Sequence, residues 1–322
     1  MRVLFATDGS ESAEAALTML EGFGNRRTTE LTVLSASAVR GQGTLEGMFS
    51  PEAVAHIRSG VEDVVAATKD RLQRSGFRAD GRAEEGEPAA RILEMISSGS
   101  YDLTVVGAGR HSWLGRFLLG STSMQVLRRS PSSVLVVHQS PAEGENLRVL
   151  VAADGSQGAR HAAAQFRDLA DSAECSVSVL SVAEATAEPP PAVTFPAVAW
   201  RPPEAAANQF QQEVEHAMKA AEAAARAEAE RFRSAGFRVE KELALGGSPA
   251  QVILYECQNG SHDLVVVGSR GLGRLGSALF GSVGDAVARH APGVFVGRTA
   301  PPAESKQAED EPLGLRYKSW WP

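Results

Sequence analysis

Two glycine-rich segments carry the residues of this chain best suited to binding an anion. The more complete one has Gly268, Gly271, Gly281 and Ser282 in the pattern Gly-x2-Gly-x9-Gly-Ser. Glycines allow the backbone to turn with positive φ and let a phosphate approach main-chain amides closely. Ser282 adds a hydroxyl, and a helix opening there would direct free N–H groups and its positive dipole end at the anion. The pattern predicts a phosphate site that includes Val283 of this helix.

A near copy of this segment lies about 160 residues earlier. Gly107, Gly120 and Ser121 repeat the pattern, but Arg110 stands at the position of the second glycine. An arginine there would cost about 1 kcal/mol or more if the turn requires positive φ, and it would block the approach of a phosphate. A guanidinium is also a good partner for phosphate. The sequence favours a weakened or altered first site, with an intact one as the alternative.

An aspartate follows the first predicted strand of each half of the chain. These are Asp8 in VLFATDGS and Asp154 in VLVAADGS. At the carboxyl end of a strand, such a carboxylate could accept a hydrogen bond from a ribose hydroxyl or hold a Mg²⁺ bound to phosphate. It could equally cap the turn into the following helix. The sequence leaves both roles open.

No catalytic motif accompanies these segments. The literal Gly-x-Gly-x-x-Gly at 271–276 follows a fourth strand and lacks an acidic residue about 20 positions later, which disfavours a dinucleotide fold. Neither GK[ST] nor G-x-S-x-G occurs, and the seven histidines form no H-x-x-x-H pair. His262 beside Asp263 recurs as Tyr101 beside Asp102, which is typical of a strand start. The sequence predicts binding without a positioned base or nucleophile.

The composition excludes several classes of partner. The chain has 322 residues, 43% hydrophobic, with a net charge of -7 and a pI near 5.6. Binders of nucleic acid or anionic membranes are basic, so neither partner is expected. Cys175 and Cys257 suit neither a disulfide framework nor a metal site. With no apolar run near ~18 residues and an N-terminus that soon turns polar, we expect a cytoplasmic protein that spans no membrane.

Blocks of sequence occur twice in the same order, which indicates a tandem duplication. RVLFATDGSESAEAAL at 2–17 matches RVLVAADGSQGARHAA at 148–163. Near the end of each copy, RRSPSSVLVVH at 128–138 matches ARHAPGVFVGR at 288–298. The chain is therefore expected to hold two similar domains.

The repeats place the domain boundaries. We expect one domain at 1–138, a linker at 139–146 and a second domain at 147–298. The remaining segment, 299–322, is poor in β-branched residues and mixed in charge, so we expect it to be disordered. The second copy also carries a proline-rich insertion at 183–204, which proline keeps out of helix and strand. This insertion is a surface loop or, alternatively, a lid over the site.

Within each repeat, short β-branched runs alternate with helical stretches. In the first copy the predicted strands read VLFAT, LTVLSA, FRADGRAE, LTVVG and SVLVV, and the predicted helices span 10–23, 51–74, 88–98 and 121–129. In the second copy the longest predicted helix spans 204–233. Near-continuous apolar strands separated by helices predict a parallel sheet covered on both faces. The fold class is α/β, with two similar domains, each an open five-stranded parallel sheet sandwiched by helices.

The glycine pattern and the aspartate after the first strand carry a family resemblance. The chain resembles a tandem universal stress protein, whose nucleotide-binding members share Gly-x2-Gly-x9-Gly-(Ser/Thr) and this aspartate. The resemblance covers both repeats and implies a Rossmann-like sheet with strand order 3-2-1-4-5. In such members main-chain groups after the first and second strands contact adenine, which implies Ala153 and Val182 in the second copy and Ala36 in the first.

The resemblance also implies a function. It implies a stress-response protein that binds ATP with Mg²⁺, mainly in its second domain, as a nucleotide sensor or carrier with very slow hydrolysis at most. The alternative is a nucleotide-independent scaffold that engages an unidentified protein partner. Resembling proteins dimerise through their last strands, here 133–137 and 294–296, which implies a pseudo-dimer within the chain. A further homodimer stays open.

Overall fold

The computed structural model describes residues 1–37, 51–109, 119–142, 144–184, 193–195, 198–200, 204–269 and 281–298. These residues form two consecutive α/β units, here called unit 1 and unit 2. The predicted tail at 299–322, most of the proline-rich insertion, Arg110 and Gly271 lie outside the described residues. Among the described helices, none combines the length and apolarity needed to cross a membrane.

Unit 1 contains five strands and four helices. They are β1 (Arg2–Ala6), α1 (Glu11–Phe23), β2 (Glu30–Ser37), α2 (Pro51–Arg74), β3 (Arg78–Glu85), α3 (Pro88–Gly99), β4 (Leu103–Gly107), α4 (Ser121–Arg129) and β5 (Ser133–Val137). The four predicted helices of this half are confirmed, each with its ends within one residue of the predicted ones.

Unit 2 repeats this order with one addition. Its elements are β6 (Leu147–Ala152), α5 (Gln157–Leu169), β7 (Cys175–Ala183), β8 (Val193–Phe195), β9 (Val198–Trp200), α6 (Glu204–Ser234), β10 (Arg238–Gly246), α7 (Pro249–Asn259), β11 (Leu264–Gly268), α8 (Ser282–His290) and β12 (Gly293–Gly297). The prediction that proline keeps 183–204 out of strands is wrong for β8 and β9, which pair antiparallel. Their VTF and VAW triplets contain β-branched and aromatic residues and no proline, so the triplets can pair.

The strands of both units form one sheet. Its order is β10-β7-β6-β11-β12-β5-β4-β1-β2-β3, so each half has the predicted order 3-2-1-4-5 and all pairs within a half are parallel. The halves join through β12 and β5, which are antiparallel with Val294 opposite Val136. The predicted pairing of the two last strands within the chain is therefore present, and it makes a ten-stranded sheet.

Local sequence explains why α1 and α5 begin directly after the first strand of each unit. Ser10 Oγ accepts a hydrogen bond from Ala13 N (3.3 Å), and Ser156 Oγ accepts one from Ala159 N (3.1 Å). Each serine satisfies an amide that the first helical turn leaves without an intrahelical partner. Both helices are thereby fixed at the carboxyl end of the strand before them.

The apolar core is divided by the sheet and not by the repeat. One cluster of buried side chains lies on the face covered by α1, α2, α5 and α6, and a second lies on the face covered by α3, α4, α7 and α8. Each cluster contains residues of both units. Phe166 of unit 2 stacks on Phe23 of unit 1 at 5.7 Å and meets Phe295 edge-on at 6.1 Å. The two units therefore bury their apolar faces together.

Polar contacts also cross between the units. Asn25 N donates to Leu169 O and Asp171 N donates to Phe23 O, both at 2.7 Å, so the ends of α1 and α5 are hydrogen bonded to each other. On the other face, His138 Nε2 donates to Ala288 O of α8 at 2.8 Å. These bonds fix the relative position of the helices on both faces of the sheet.

Candidate functional site

The predicted phosphate-binding residues of unit 2 meet at one edge of the sheet. Asp154 follows β6, Gly268 ends β11, and Gly281 precedes α8. Since β6 lies between β7 and β11, all of these strands end side by side. In the order 3-2-1-4-5 successive strands are added on one side of the first strand and then, from the fourth strand on, on its other side. In open α/β sheets ligands bind at the point between the first and fourth strands where this order reverses.

The main chain between β11 and α8 holds the start of α8 against the sheet. Ser269 N donates to Gly297 O at 2.9 Å, and Gly281 N donates to Ser269 O at 3.1 Å. Gly281 is the residue before the helix and supplies no side-chain cap, unlike Ser156 before α5. The first amides of α8, beginning with Ser282, therefore end at the sheet edge without a side-chain acceptor from Gly281, as an anion site requires.

Gly268 and Gly281 do not have the positive φ that the glycine pattern predicted. Gly281 has φ −65°, and Gly268 is not among the residues with positive φ. A Cβ at Gly268 would lie 2.7 Å from Ala159 N, and one at Gly281 would lie 3.2 Å from Ser269 O. For these two residues the expectation of positive φ is wrong, because close packing of backbone on backbone is what excludes a side chain. Gly271 lies outside the described residues.

Asp154 and Asp8 both hold the turn that follows the first strand of their unit. Asp154 Oδ1 accepts a hydrogen bond from Ser156 N at 2.8 Å, and Asp8 Oδ1 accepts one from Ser10 N at 3.0 Å. Asp154 is half-buried and Asp8 is exposed. The turn role that the sequence left open is therefore present, and it engages one carboxylate oxygen of each aspartate.

The predicted adenine-contacting residues lie at the same edge. Ala153 is buried, and its amide donates to Leu180 O at 2.8 Å. Val182 is half-buried in β7, opposite Leu245 of β10. In unit 1, Ala36 is half-buried in β2. Because the Ala153 amide is already engaged, a main-chain contact at Ala153 would use its carbonyl oxygen.

Unit 1 has the same arrangement of glycines and helix start as unit 2, apart from Arg110, where its sequence departs from the glycine pattern. A Cβ at Gly107 would lie 2.5 Å from the Ser12 carbonyl carbon. Gly120, the residue before α4, has φ −63° and supplies no side-chain cap, and the exposed Ser121 follows it. Gly109 has φ +104°, and its amide donates to Ser12 Oγ at 3.2 Å. Arg110 follows outside the described residues, so the predicted weakening of this site stays a prediction.

Sequence reasoning missed the charges beside α8. Asp285 lies in the first turn, where its Oδ2 pairs with Arg289 Nε at 2.8 Å and its Oδ1 with Arg128 Nη2 of unit 1 at 3.5 Å. Arg289, and to a smaller extent Arg128, holds the pKa of the Asp285 carboxyl below its usual value, although partial burial opposes this. An acidic residue three positions after Ser282 was visible in the sequence, but the arginine across the seam was not.

Other titratable groups have structural partners. His262 Nδ1 lies 3.1 Å from Glu256 O, and burial lowers the pKa of this imidazole. Asp263 Oδ2 accepts from Arg148 N at 2.9 Å, as Asp102 accepts from Arg2 N at 2.7 Å. Both aspartates thus hold the start of a strand, as predicted.

Burial raises the pKa of the two cysteine thiols, Cys175 and Cys257, to about 12, so both stay protonated. The described residues include no cluster of three potential metal ligands from His, Cys, Asp and Glu.

Two hollows differ in size and in their distance from the candidate site. The larger, of about 460 Å³, lies at the amino ends of β1, β2 and β3 and is lined by Arg2, Tyr101 and the Arg78–Glu30 ion pair, among others. It lies at the opposite end of these strands from the equivalent site of unit 1 at Asp8 and Gly107. The smaller, of about 70 Å³, lies between α5 and α6 and includes Ala153 and Gly155 beside Asp154. Size alone therefore does not identify the site, since the larger hollow has none of the predicted site residues in its lining and its Arg78–Glu30 ion pair is exposed.

Comparisons with known proteins agree with this architecture. A family model described as Universal stress protein family matches residues 1–138 and 145–293. A protein of Staphylococcus haemolyticus named as a universal stress protein is 28% identical over 137 residues, which are 42% of this chain and 82% of that protein. The crystal structure of a universal stress protein from Archaeoglobus fulgidus is similar with a TM-score of 0.60 and 20% identity, over 92% of this chain and 98% of that chain. The crystal structure of a universal stress protein from Pseudomonas aeruginosa is similar with a TM-score of 0.57 and 15% identity, over 92% of this chain and 92% of that chain.

Proposed function

The chain belongs to the universal stress protein family, and on that premise we propose that it binds ATP with Mg²⁺ in unit 2 and acts as a cytoplasmic nucleotide sensor or carrier in a stress response. The observation that carries the proposal is the start of α8. Its first amides lie at the carboxyl edge of β11 without a side-chain cap from Gly281. Such a terminus favours a phosphate, because the amides and the helix dipole both attract negative charge.

Each predicted residue has a place in this proposal. The amides of Ser282 and Val283 and the Ser282 hydroxyl, which is exposed, bind the phosphates. The second carboxylate oxygen of Asp154 receives a ribose hydroxyl or faces the metal ion, while Oδ1 keeps its bond to Ser156 N. Adenine lies against the Ala153 carbonyl and the end of β7 at Val182. Mg²⁺, when bound with the nucleotide, neutralises phosphate charge and is ligated by water and phosphate oxygens as well as carboxylate.

The proposal is one of binding and not of fast turnover. The sequence carries neither GK[ST] nor G-x-S-x-G, and both of its cysteines are buried. Hydrolysis at this site would depend on unassisted water, so very slow turnover at most is expected. In unit 1, Asp8, Ala36, Gly107, Gly120 and Ser121 occupy equivalent places, and Arg110 is proposed to weaken that site.

A nucleotide-independent scaffold is the second candidate. The joined sheet and the two shared apolar clusters favour it, because they hold the units in one fixed arrangement that a protein partner could recognise. This candidate needs no ligand at α8, so nucleotide binding separates the two.

Titration of the purified chain with ATP and Mg²⁺ by calorimetry tests the proposal. We expect about one ATP per chain. Gly281→Asp should abolish binding, because it adds a carboxylate at the phosphate position and a Cβ 3.2 Å from Ser269 O. The matched substitution Gly120→Asp in unit 1 should leave the stoichiometry and affinity unchanged.

The other outcomes are also informative. Two ATP per chain, with one lost in each variant, would show that Arg110 does not weaken unit 1. No binding at millimolar ATP would overturn the nucleotide proposal and leave the scaffold.

A further inference from the structure

A side chain of unit 1 reaches the helix that carries the proposed phosphate site of unit 2. Arg128 lies in the last turn of α4, and its Nη2 is 3.5 Å from Oδ1 of Asp285 in the first turn of α8. The same carboxylate is held by Arg289 of α8, with Nε 2.8 Å from Oδ2. Asp285 therefore has one basic partner on its own helix and one across the seam.

The contact is one half of a two-fold arrangement. Helices α4 and α8 both begin at a serine and have nine residues, so Arg128 and Arg289 are equivalent, as are Met124 and Asp285. Arg289 Nη2 lies 3.9 Å from Met124 Sδ across the seam, as Arg128 lies against Asp285. Each arginine thus contacts the equivalent residue of the opposite helix, which is Asp285 in unit 2 and the uncharged Met124 in unit 1.

That charge acts directly on the proposed site. A carboxylate in the first helical turn interacts favourably with the helix dipole and repels a second anion bound at the same amides. Asp285 is ionised at neutral pH, because its arginine partners hold its pKa below the usual value. Without Arg128 it would keep only Arg289 as a partner, and more of its charge would act on a phosphate bound three residues away at Ser282.

We propose that Arg128 of unit 1 is a positioning residue for the nucleotide site of unit 2: by neutralising Asp285 across the seam, it keeps the start of α8 receptive to phosphate. The inference rests on the proposed function. What it adds is that the affinity of one repeat depends on a side chain of the other, through the Arg128–Asp285 pair. The ligand class is an anionic nucleotide, since only the phosphates would sense this pair.

A double-substitution cycle, with calorimetry of ATP and Mg²⁺ binding, tests the proposal. Arg128→Gln should weaken ATP binding about 2- to 5-fold, the range of an exposed ion pair and a first-turn charge. Arg129→Gln removes the neighbouring exposed arginine of α4 and should leave the affinity unchanged. Asp285→Asn should bind ATP at least as tightly as the wild type, and Arg128→Gln should have no further effect in the Asp285→Asn background.

Two further readouts separate this role from a merely structural one. The effect of Arg128→Gln should shrink at high salt, because the pair is partly exposed and is screened. Thermal unfolding without nucleotide should be nearly the same for Arg128→Gln and Arg129→Gln.

Four results would overturn the inference. If the wild type binds ATP and Arg128→Gln binds it equally well, Arg128 has no role while the proposed function stands. If Arg128→Gln weakens binding equally in the Asp285→Asn background, Arg128 acts on the ligand itself. If Asp285→Asn weakens binding, Asp285 assists the ligand. If the wild type binds no ATP, the inference fails together with the proposed function.

Discussion

The first two helices of each unit are joined by ion pairs of opposite polarity. In unit 1, Arg71 of α2 pairs with Glu14 at 2.8 Å and with Glu21 at 2.6 Å, both on α1. In unit 2, Glu228 of α6 pairs with Arg167 of α5 at 2.5 Å and with Arg231 of its own helix at 2.7 Å. Glu21 and Arg167 occupy equivalent positions, so the sign on the first helix has been reversed. The same packing of two helices on a sheet tolerates either sign, provided that the partner helix is complementary.

The two networks differ in their access to water. The Arg71 side chain is 37% exposed and its partners Glu14 and Glu21 are 50% and 15% exposed, whereas Glu228 is 3% exposed and Arg167 is 15% exposed. The Arg167 guanidinium also lies over the Phe232 ring, 4.8 Å from its centre. Removing one partner of a buried pair leaves a charge without water, while an exposed charge is rehydrated. The comparison therefore predicts unequal sensitivity of two equivalent helix interfaces.

Glu228→Gln should have the largest effect on stability. The substitution keeps the shape of the side chain but leaves the buried Arg167 without a counter-charge, so the free energy of unfolding should fall by about 3 kcal/mol. Urea unfolding followed by circular dichroism measures this. The equivalent residue of unit 1, Thr68, carries no charge, and Thr68→Ala should cost clearly less. A loss below about 1 kcal/mol for Glu228→Gln would show that water reaches the pair.

Arg71→Gln, at the corresponding interface of unit 1, should cost about 1 kcal/mol in the same measurement. Glu14 is rehydrated when the guanidinium is removed, and Glu21, which is 15% exposed, keeps its hydrogen bond from Ser75 Oγ. The loss should shrink further in 0.5 M salt. Equal losses for Arg71→Gln and Glu228→Gln would mean that burial does not distinguish the two interfaces.

A pH-dependent difference is expected at His262, where unit 1 has Tyr101. Burial lowers the pKa of His262 from its usual 6.5; Arg148 and Lys241 lower it further, while Glu256 opposes them. Below pH 6.5 the unfolded chain binds a proton that the folded chain does not, so stability falls as the pH drops through the lowered folded pKa. His262→Tyr should remove this part of the slope.

The measurement is the free energy of unfolding between pH 8 and pH 5. The slope is compared, and not the absolute stability, because a tyrosine ring packs differently over Gly260. Burial raises the pKa of the adjacent Asp263, and because this residue is present in both the wild type and His262→Tyr, its titration contributes to both slopes. Identical slopes for His262→Tyr and the wild type would contradict the assignment of this titration to His262.

The smallest effect is expected from filling the hollow between α5 and α6. A Cβ at Gly9 of unit 1 would meet Val64 at 3.2 Å, whereas one at Gly155 would meet only Ala224 at 3.7 Å. Ala224→Val should therefore stabilise the chain by about 0.5 to 1 kcal/mol in thermal unfolding. The converse substitution, Val64→Ala, should destabilise unit 1 by a similar amount. Destabilisation by Ala224→Val would show that the hollow of about 70 Å³ is too tight for the added methyl groups.

Much of the fold could be predicted because its signals are local. The helix at 51–74 begins at a proline, α1 and α5 each follow a serine that caps them, and apolar strands alternate with both. What could not be predicted was how the two units bury their apolar surface. The stacking of Phe166 on Phe23 depends on residues far apart in the chain, and only the antiparallel pairing of β5 and β12 brings them together.

The candidate site was predicted in position but not in detail. The spacing of Gly268, Gly281 and Ser282 predicted that they meet at one edge of the sheet, as they do, because strand ends and helix starts can be read from sequence. The reason for the glycines was missed, since the proximity of Gly268 to Ala159 requires knowledge of how α5 crosses β11. The Arg128–Asp285 pair was missed for the same reason, because its register is set by the seam and by no local pattern.

The pairing of β5 with β12 inside one chain bears on how the two halves can evolve. In a dimer of identical chains, one codon change alters both halves at once, so they stay alike. Here each half has its own codons, and yet both halves complete one sheet. A difference such as Met124 in unit 1 against Asp285 at the equivalent position of unit 2 can therefore arise in one half without changing the other. The two halves can therefore diverge in their surface contacts, while the apolar clusters that they share must keep packing together.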